Sequence, residues 1–226
     1  MLKTNEFLLA SLLTSYPDGN FTEYVSHLLQ EMDLALPGNL RAELSMIVKD
    51  RTRLDDLRSE YIDLFDRGSA SSSLYETEFG RDRALVKGSE LADLAGFYKA
   101  FGFGMNEEAK EMLDHVSVEL EFYTLLLMKQ NVLIEAGDQE GIEIVLDARK
   151  KFLRDHLGRF IGALAERPAV QSSAVYSLVT SFCSELVRKE CLSLDVSVTP
   201  VNWFATEVEK EEMNCCNLAG AKHPSP

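Results

Sequence analysis

The sequence predicts an all-α protein that folds as a single compact helical bundle of roughly eight to ten helices. Apolar residues recur at steps of three and four along most of the chain, which is the spacing of amphipathic helices. No segment alternates convincingly between apolar and polar residues, as a half-buried strand would. The chain has 226 residues, of which 46% are hydrophobic and 27% charged. This composition allows a substantial core without disulfides or a structural metal.

The first predicted helices lie before residue 66. Thr4 is a candidate N-cap for the first helix, and the turn signal at 16–19 (YPDG) ends that region. The predicted spans are about 4–14, from residue 22 towards the Pro-Gly pair at 37–38, 40–48 and 54–65. In the last of these, Leu57, Tyr61 and Leu64 fall on one face of an amphipathic helix.

A long loop is predicted at 66–88. Gly68 and a serine-rich run at 69–73 break the helical pattern, and Ser89 is a plausible N-cap for the next helix. Loops of this length inside a compact chain are usually either functional or disordered. Tyr75 and Phe79 argue against plain disorder, because disordered segments contain few aromatic residues.

The second half of the chain predicts further helices, and Asp114 and Gly137 mark the ends of the longest one. The predicted spans are about 89–101, 114–135, 139–157, 159–165 and 173–192. We expect residues 1–194 to form one all-helical domain. The C-terminal tail, 195–226, is expected to be partly ordered at best.

The charge of the chain restricts its partners. Its formal net charge is −14, from 37 acidic and 23 basic residues, so nucleic acid and an anionic membrane surface are unexpected partners. A cationic partner would be attracted instead. The apolar run at 7–13 lacks the basic flank and cleavage site of a signal peptide. No apolar segment is long enough to cross a bilayer, and we expect no stable membrane insertion.

The four cysteines match neither a disulfide framework nor a CxxC pair, which favours a reducing cytoplasm. Cys183 and Cys191 are expected to be small core residues. Cys215 and Cys216, together with His223, lack the paired ligand spacing of a zinc site.

The segment at 114–122 (DHVSVELEF) is the strongest candidate site. Asp114 favours a helix N-terminus, and His115 at that positive end would tend to stay neutral. Glu119 lies about one turn further along the same face. A neutral imidazole beside a carboxylate suits general base chemistry or peptide recognition. A helix cap beside a surface histidine is the simpler interpretation of the same residues.

The loop at 74–79 (LYETEF) is the second candidate. Its interleaved acidic and aromatic residues fit a basic, partly apolar peptide, but Tyr75 and Phe79 would equally serve to anchor the loop to the core. The chain has no P-loop, dinucleotide-binding, HExxH or GxSxG motif. No nucleophile, base and orienting residue occur together in its sequence.

Several segments of the chain together resemble the motifs of one known family. They are 61–65 (YIDLF) with 75–80 (YETEFG), 91–103 (LADLAGFYKAFGF), 114–122 (DHVSVELEF) and 152–160 (FLRDHLGRF). In this order they resemble the TorD/DmsD/NarJ family of redox-enzyme maturation chaperones. Family sequences often carry proline before the DH pair and before the loop tyrosine, where this chain has Leu113 and Leu74. Both differences loosen the expected backbone geometry.

The resemblance implies an all-α chaperone of the TorD-like type, without catalytic turnover and without a cofactor of its own. Such proteins bind the leader peptide, often twin-arginine, of the catalytic subunit of a molybdopterin-dependent oxidoreductase. They hold that subunit in the cytoplasm until its cofactor is inserted, and some bind guanine nucleotide weakly. The peptide-binding positions that the resemblance implies are Tyr75, Glu76, Phe79, Asp114, His115 and Glu119.

Two alternatives remain open from the sequence. A small metal-dependent hydrolase would use Asp114, His115 and Glu119, and would need a further ligand such as His156, because one helical turn supplies too few. A structural subunit of the mature oxidoreductase would keep the same partner permanently. The sequence reveals no companions for His27 or His156.

Overall fold

The computed structural model of the chain describes residues 3–31, 34–66, 73–80, 83–104 and 111–203, which form ten α-helices and no strand ladder. The helices are α1 (Thr4–Thr14), α2 (Phe21–Glu31), α3 (Gly38–Ile47), α4 (Arg51–Tyr61), α5 (Arg83–Ala100), α6 (Val116–Ala136), α7 (Gln139–Asp155), α8 (Leu157–Ala165), α9 (Pro168–Ser172) and α10 (Tyr176–Ser193). A π-helical turn, Ile62–Asp66, follows α4, and a 3₁₀ turn, Glu76–Glu78, precedes α5. The all-α prediction is confirmed. Cys215, Cys216 and His223 lie outside the described residues.

The longest helix, α6, forms the centre of the bundle. It packs against α1 and α7, while α10 packs against α1, α8 and α9. Its buried face includes Leu120, Tyr123 and Leu127, as predicted, and Glu121 is exposed. Gly137 ends the helix in the left-handed conformation with φ 69°, which glycine adopts without strain. No helix among the described residues is long and apolar enough to cross a membrane.

A polar network lies inside this core. Arg149 of α7 is 1% exposed, and its guanidinium pairs with Glu190 of α10. The same guanidinium donates hydrogen bonds to Gln130 and, from Nε at 3.2 Å, to the hydroxyl of Tyr123. That hydroxyl donates in turn to Glu190 at 3.0 Å. The network therefore joins α6, α7 and α10 through charged and polar groups that are shielded from water.

The loop before α5 is shorter than predicted. The helix begins at Arg83 rather than at Ser89, so the last part of the predicted loop at 66–88 is helical. Gly88 lies inside this helix, where a glycine costs only about 1 kcal/mol relative to alanine. At α1 the bounds agree with the prediction, but Thr4 is not the cap. Lys3 occupies that position and makes no side-chain capping hydrogen bond.

Two further helix boundaries differ from the sequence prediction. Helix α7 ends at Asp155, and the backbone turns at His156 (φ −127°, ψ −101°) directly into α8. The predicted helix at 173–192 begins later, at Tyr176, and a short helix, α9, precedes it. Proline at the first position of α9 suits a helix start because its missing N–H needs no partner there.

After α10, residues 196–203 form no helix and hydrogen-bond to α8 and to the loop before α5. The N–H of Val201 donates to the carbonyl of Arg159 at 3.0 Å, and the carbonyl of Asn202 accepts from Gly80 at 2.9 Å. The Trp203 ring lies 5.7 Å from that of Phe79. This part of the predicted tail therefore packs against the loop before α5.

Candidate functional site

The structure brings the two candidate segments side by side. Residues 73–80, called the motif loop below, run antiparallel to the residues that lead into α6. Tyr75 forms a β-bridge with His115. The N–H of Glu76 donates to the carbonyl of Asp114 at 2.8 Å, and the N–H of Val116 donates to that of Leu74 at 2.8 Å. Segments nearly forty positions apart in the chain thus form one unit.

The carboxylate of Asp114 holds the motif loop. Its Oδ2 accepts the hydroxyl of Thr77 at 2.5 Å and the Thr77 N–H at 3.4 Å, and both residues are buried. Asp114 is therefore not the N-cap of α6, contrary to the sequence prediction, because its side chain is engaged by the loop.

The N-cap of α6 is His115. Its Nδ1 accepts the N–H of Ser117 at 3.2 Å and lies 2.7 Å from the Ser117 hydroxyl. Burial lowers the pKa of His115 to about 4, and the negative charge of Asp114 only partly opposes this shift. The imidazole is neutral, as predicted, but burial is the main cause. The expectation of a surface histidine is wrong, because only 1% of His115 is exposed.

Burial extends to most of the predicted site residues. Tyr75 is half-buried, and its hydroxyl donates to Glu111 at 2.8 Å. The other five have exposed fractions of 3% (Glu76), 3% (Phe79), 1% (Asp114), 1% (His115) and 0% (Glu119). Most of the acidic and aromatic side chains that were expected on a binding surface are therefore buried beneath the motif loop or within it.

Three of these buried carboxyl groups are poorly satisfied. Oε1 of Glu76, Oδ1 of Asp114 and both oxygens of Glu119 accept no hydrogen bond from any group in the described ranges. Burial raises the pKa of Glu119 well above its ordinary value, and the charges of Glu76 and Asp114 raise it further. Glu119 therefore favours its neutral form, which lowers the cost of burying several acids together.

His156 also belongs to this site. Its Nδ1 lies 3.1 Å from Oε2 of Glu76, and its Nε2 lies 3.1 Å from Oδ2 of Asp93 on α5. Burial lowers the pKa of His156, but the hydrogen bonds and charges of these two acids outweigh that effect and raise it overall. The expectation that His156 has no partner residues is wrong, because it contacts both Glu76 and Asp93. The sequence signal was present, since His156 lies in the 152–160 motif.

The family model for the nitrate reductase delta subunit matches residues 22–166, more than half of the chain, including the motif loop, Asp114 and His156. The chain belongs to the nitrate reductase delta subunit family. The resemblance inferred from the sequence motifs is thereby confirmed.

Several proteins similar to this chain carry assembly-chaperone names. The nitrate reductase molybdenum cofactor assembly chaperone NarJ of Escherichia coli K12 is 29% identical over 132 residues, which cover 56% of this chain and 54% of NarJ. The selenate reductase assembly chaperone of Thauera selenatis is 30% identical over 136 residues, 59% of this chain and 68% of that protein. The chaperone TorD of Vibrio cholerae M66-2 is 23% identical over 170 residues, 72% and 76% of the two chains. The chain spans about half the length of the NarJ protein that it matches.

The arrangement of the described residues does not support the alternative that this chain is a metal-dependent hydrolase. Among the residues that the structure describes, no three His, Cys, Asp or Glu side chains form a group that could hold a metal ion. Asp114 faces Thr77, His115 faces Ser117, and His156 faces Glu76. Asp114, His115 and His156 therefore have separate partners, and neither oxygen of Glu119 accepts a hydrogen bond from the described residues.

Phe79 and Trp203 close the other end of the motif loop. The Phe79 ring lies 5.3 Å from that of Phe160 and 5.7 Å from that of Trp203, and the guanidinium of Arg167 lies 4.0 Å above the Trp203 ring. Gly80 follows with φ 92°, a conformation that favours glycine. Sequence reasoning missed Trp203, although a lone tryptophan in a polar tail is a visible signal.

The replacement Thr77→Val is expected to loosen the motif loop. Valine has nearly the same shape but cannot donate to Asp114, so a buried carboxylate oxygen loses its hydroxyl partner. We expect the free energy of unfolding to fall by about 2 kcal/mol, with faster hydrogen exchange at the amides of Glu76 and Val116. Urea denaturation and exchange measured by mass spectrometry check both effects. Thr52→Val, at an exposed position on α4, is the matched control; equal effects of the two variants would contradict the role of Thr77.

Proposed function

We propose that this chain is an assembly chaperone for the catalytic subunit of a molybdopterin-dependent oxidoreductase. It binds the N-terminal leader of that subunit, which we expect to be of the twin-arginine type, and holds the apo form in the cytoplasm until cofactor insertion. Support comes from the family match and from relatives that are themselves named assembly chaperones. The net charge of −14 favours a cationic leader.

One observation carries the proposal beyond family membership: the cluster of buried, unsatisfied carboxyl groups behind the motif loop. Such groups cost stability, and natural proteins retain them mainly where they serve a function. Glu76 and Asp114 place acidic groups at the loop, whereas Glu119 in its neutral form adds a polar group without charge. In our proposal the half-exposed Tyr75 contacts the leader, Phe79 and His115 fix the loop, and the carboxyl groups of Glu76 and Asp114 attract the arginines.

Replacing the acid–imidazole pair should weaken leader binding. In Asp114→Ala/His115→Ala the loop loses its carboxylate anchor and α6 loses its cap, so we expect at least about tenfold weaker binding, equivalent to about 1.4 kcal/mol. The measurement is calorimetric titration with synthetic leaders of the host's molybdopterin oxidoreductases, after circular dichroism confirms that the variant is folded.

Two comparisons make the titration decisive. His27→Ala/Asp56→Ala changes the same residue types at exposed positions on α2 and α4 and should bind like the original chain. A leader with both arginines changed to glutamine should bind weakly to every variant. Unchanged affinity in Asp114→Ala/His115→Ala would remove this pair from the site, and no binding to any leader would refute the leader-binding proposal.

A further inference from the structure

Two neighbouring cavities open along α5, and Asp93 lines both of them. The first, of about 870 Å³, is polar and also lined by Glu90, His156 and Arg159. The second, of about 340 Å³, is a mainly apolar groove between α5 and α7. We call them the Asp93 cavity and the α5–α7 groove. His156 connects the Asp93 cavity to Glu76 of the motif loop, so this surface continues the proposed site.

Most charges along these cavities already have partners. The ion pairs are Arg154 with Asp155, Arg159 with Glu90, and Lys151 with Asp147. Asp93 also has a partner, Nε2 of His156 at 3.1 Å, but it shares that imidazole with Glu76. The side chain of Asp93 is 63% exposed, so it is available to an external cation.

The α5–α7 groove offers apolar surface directly beside that carboxylate. Phe97 of α5 and Phe101, which follows that helix, are only partly buried, and Ile144 of α7 is 56% exposed. Gly96 lies between them and Asp93, and a side chain added there would meet no atom within 4 Å. Small residues on α5 thus leave room for apolar side chains of another molecule to approach the helix.

We propose that the α5–α7 seam is a second contact surface for the client leader, where Asp93 pairs with a basic side chain and the groove takes the apolar residues beside it. This inference rests on the proposed function, because that function supplies a cationic and apolar partner. An arginine fork suits an exposed carboxylate, and apolar residues at helical spacing suit a groove between two helices. The excess of acidic groups over the whole chain favours the same occupant.

Two variants separate the contribution of the Asp93 charge from that of the apolar groove. Asp93→Asn keeps the size of the side chain and should weaken binding of an arginine-containing leader about tenfold, while leaving the glutamine-substituted leader unaffected. Ala100→Trp, at an exposed position lining the groove, should weaken binding of both peptides by obstructing it. Asp56→Asn, which removes one exposed carboxylate on α4, is the control for the change in net charge and should bind normally.

A cross-linking experiment identifies the occupant. With p-benzoylphenylalanine in place of Ala92, an exposed residue that lines the Asp93 cavity and not the groove, illumination should join the chain to the added leader peptide, whereas the same group in place of Asp56 should not. Cross-linking to a second copy of this chain instead would overturn the inference. Normal leader binding by both Asp93→Asn and Ala100→Trp would also overturn it. The proposed function would still stand in that case if Asp114→Ala/His115→Ala binds the leader more weakly. If the unaltered chain binds no leader, both proposals fall together.

Discussion

Replacing Arg149 with methionine is expected to lower the free energy of unfolding by about 3–5 kcal/mol. The change removes the guanidinium that pairs with Glu190 and leaves that carboxylate buried, with Tyr123 as its remaining close donor. Lys3 lies 3.8 Å from the other Glu190 oxygen and compensates only in part. Urea denaturation at neutral pH, followed by circular dichroism, measures the loss.

The double variant Arg149→Met/Glu190→Leu tests the cause of that loss. If an unpaired buried charge is responsible, removing both partners should recover much of the stability, because apolar groups of similar volume are often tolerated in place of a buried ion pair. Arg188→Met breaks the exposed pair with Glu185 and should change stability little. A double variant no more stable than Arg149→Met would show that packing of the arginine, rather than charge pairing, is what matters.

The helices at the centre of the fold could be predicted from sequence because their signals are local. The first helix and α6 are rich in apolar residues on most sides, and Gly137 marks the end of α6. The start of α5 could not be predicted, because its first residues carry no local signal for a helix. Leu85 is 85% exposed and Gly88 interrupts the pattern, so no amphipathic face indicates a helix there.

The site could be located from sequence, but its contacts could not. Local rules favour Asp114 as a cap, and only the fold brings Thr77 to its carboxylate across 37 positions. His156 meets Asp93 and Glu76 across 63 and 80 positions, which no periodicity reveals. These are tertiary contacts between helices and loops, and a single sequence carries no direct record of them.

Arg149 is a different case, because its position in the sequence of α7 does indicate that it is buried. It lies four residues after Val145 and three before Phe152, so it shares the buried face of α7 with both. A charged residue on an apolar stripe requires a buried partner. The sequence could therefore have indicated a buried ion pair, although it could not have identified Glu190 as the partner.

The replacement His115→Asn is expected to flatten the dependence of stability on acidic pH. In the unfolded chain His115 accepts a proton below its ordinary pKa of 6.5, whereas in the folded chain burial lowers that pKa to about 4. Between these values the unfolded state binds more protons, so stability falls as the pH falls. At 1.36 kcal/mol per pKa unit, the loss attributable to His115 is about 3 kcal/mol between pH 7 and pH 4.

Asparagine isolates this effect because it can cap α6 without titrating. The free energy of unfolding, measured by urea denaturation at intervals from pH 7 to pH 4, should decline more steeply in the original chain than in His115→Asn. The raised pKa values of Glu76 and Glu119 favour the folded state as the pH falls. Both chains contain these two residues, so their contribution largely cancels when the two stability curves are subtracted. His27→Asn, at an exposed position on α2, should follow the original chain. Parallel curves for the original chain and His115→Asn would mean that His115 has the same pKa in the folded and unfolded states. Burial at the start of α6 would then not keep this imidazole neutral.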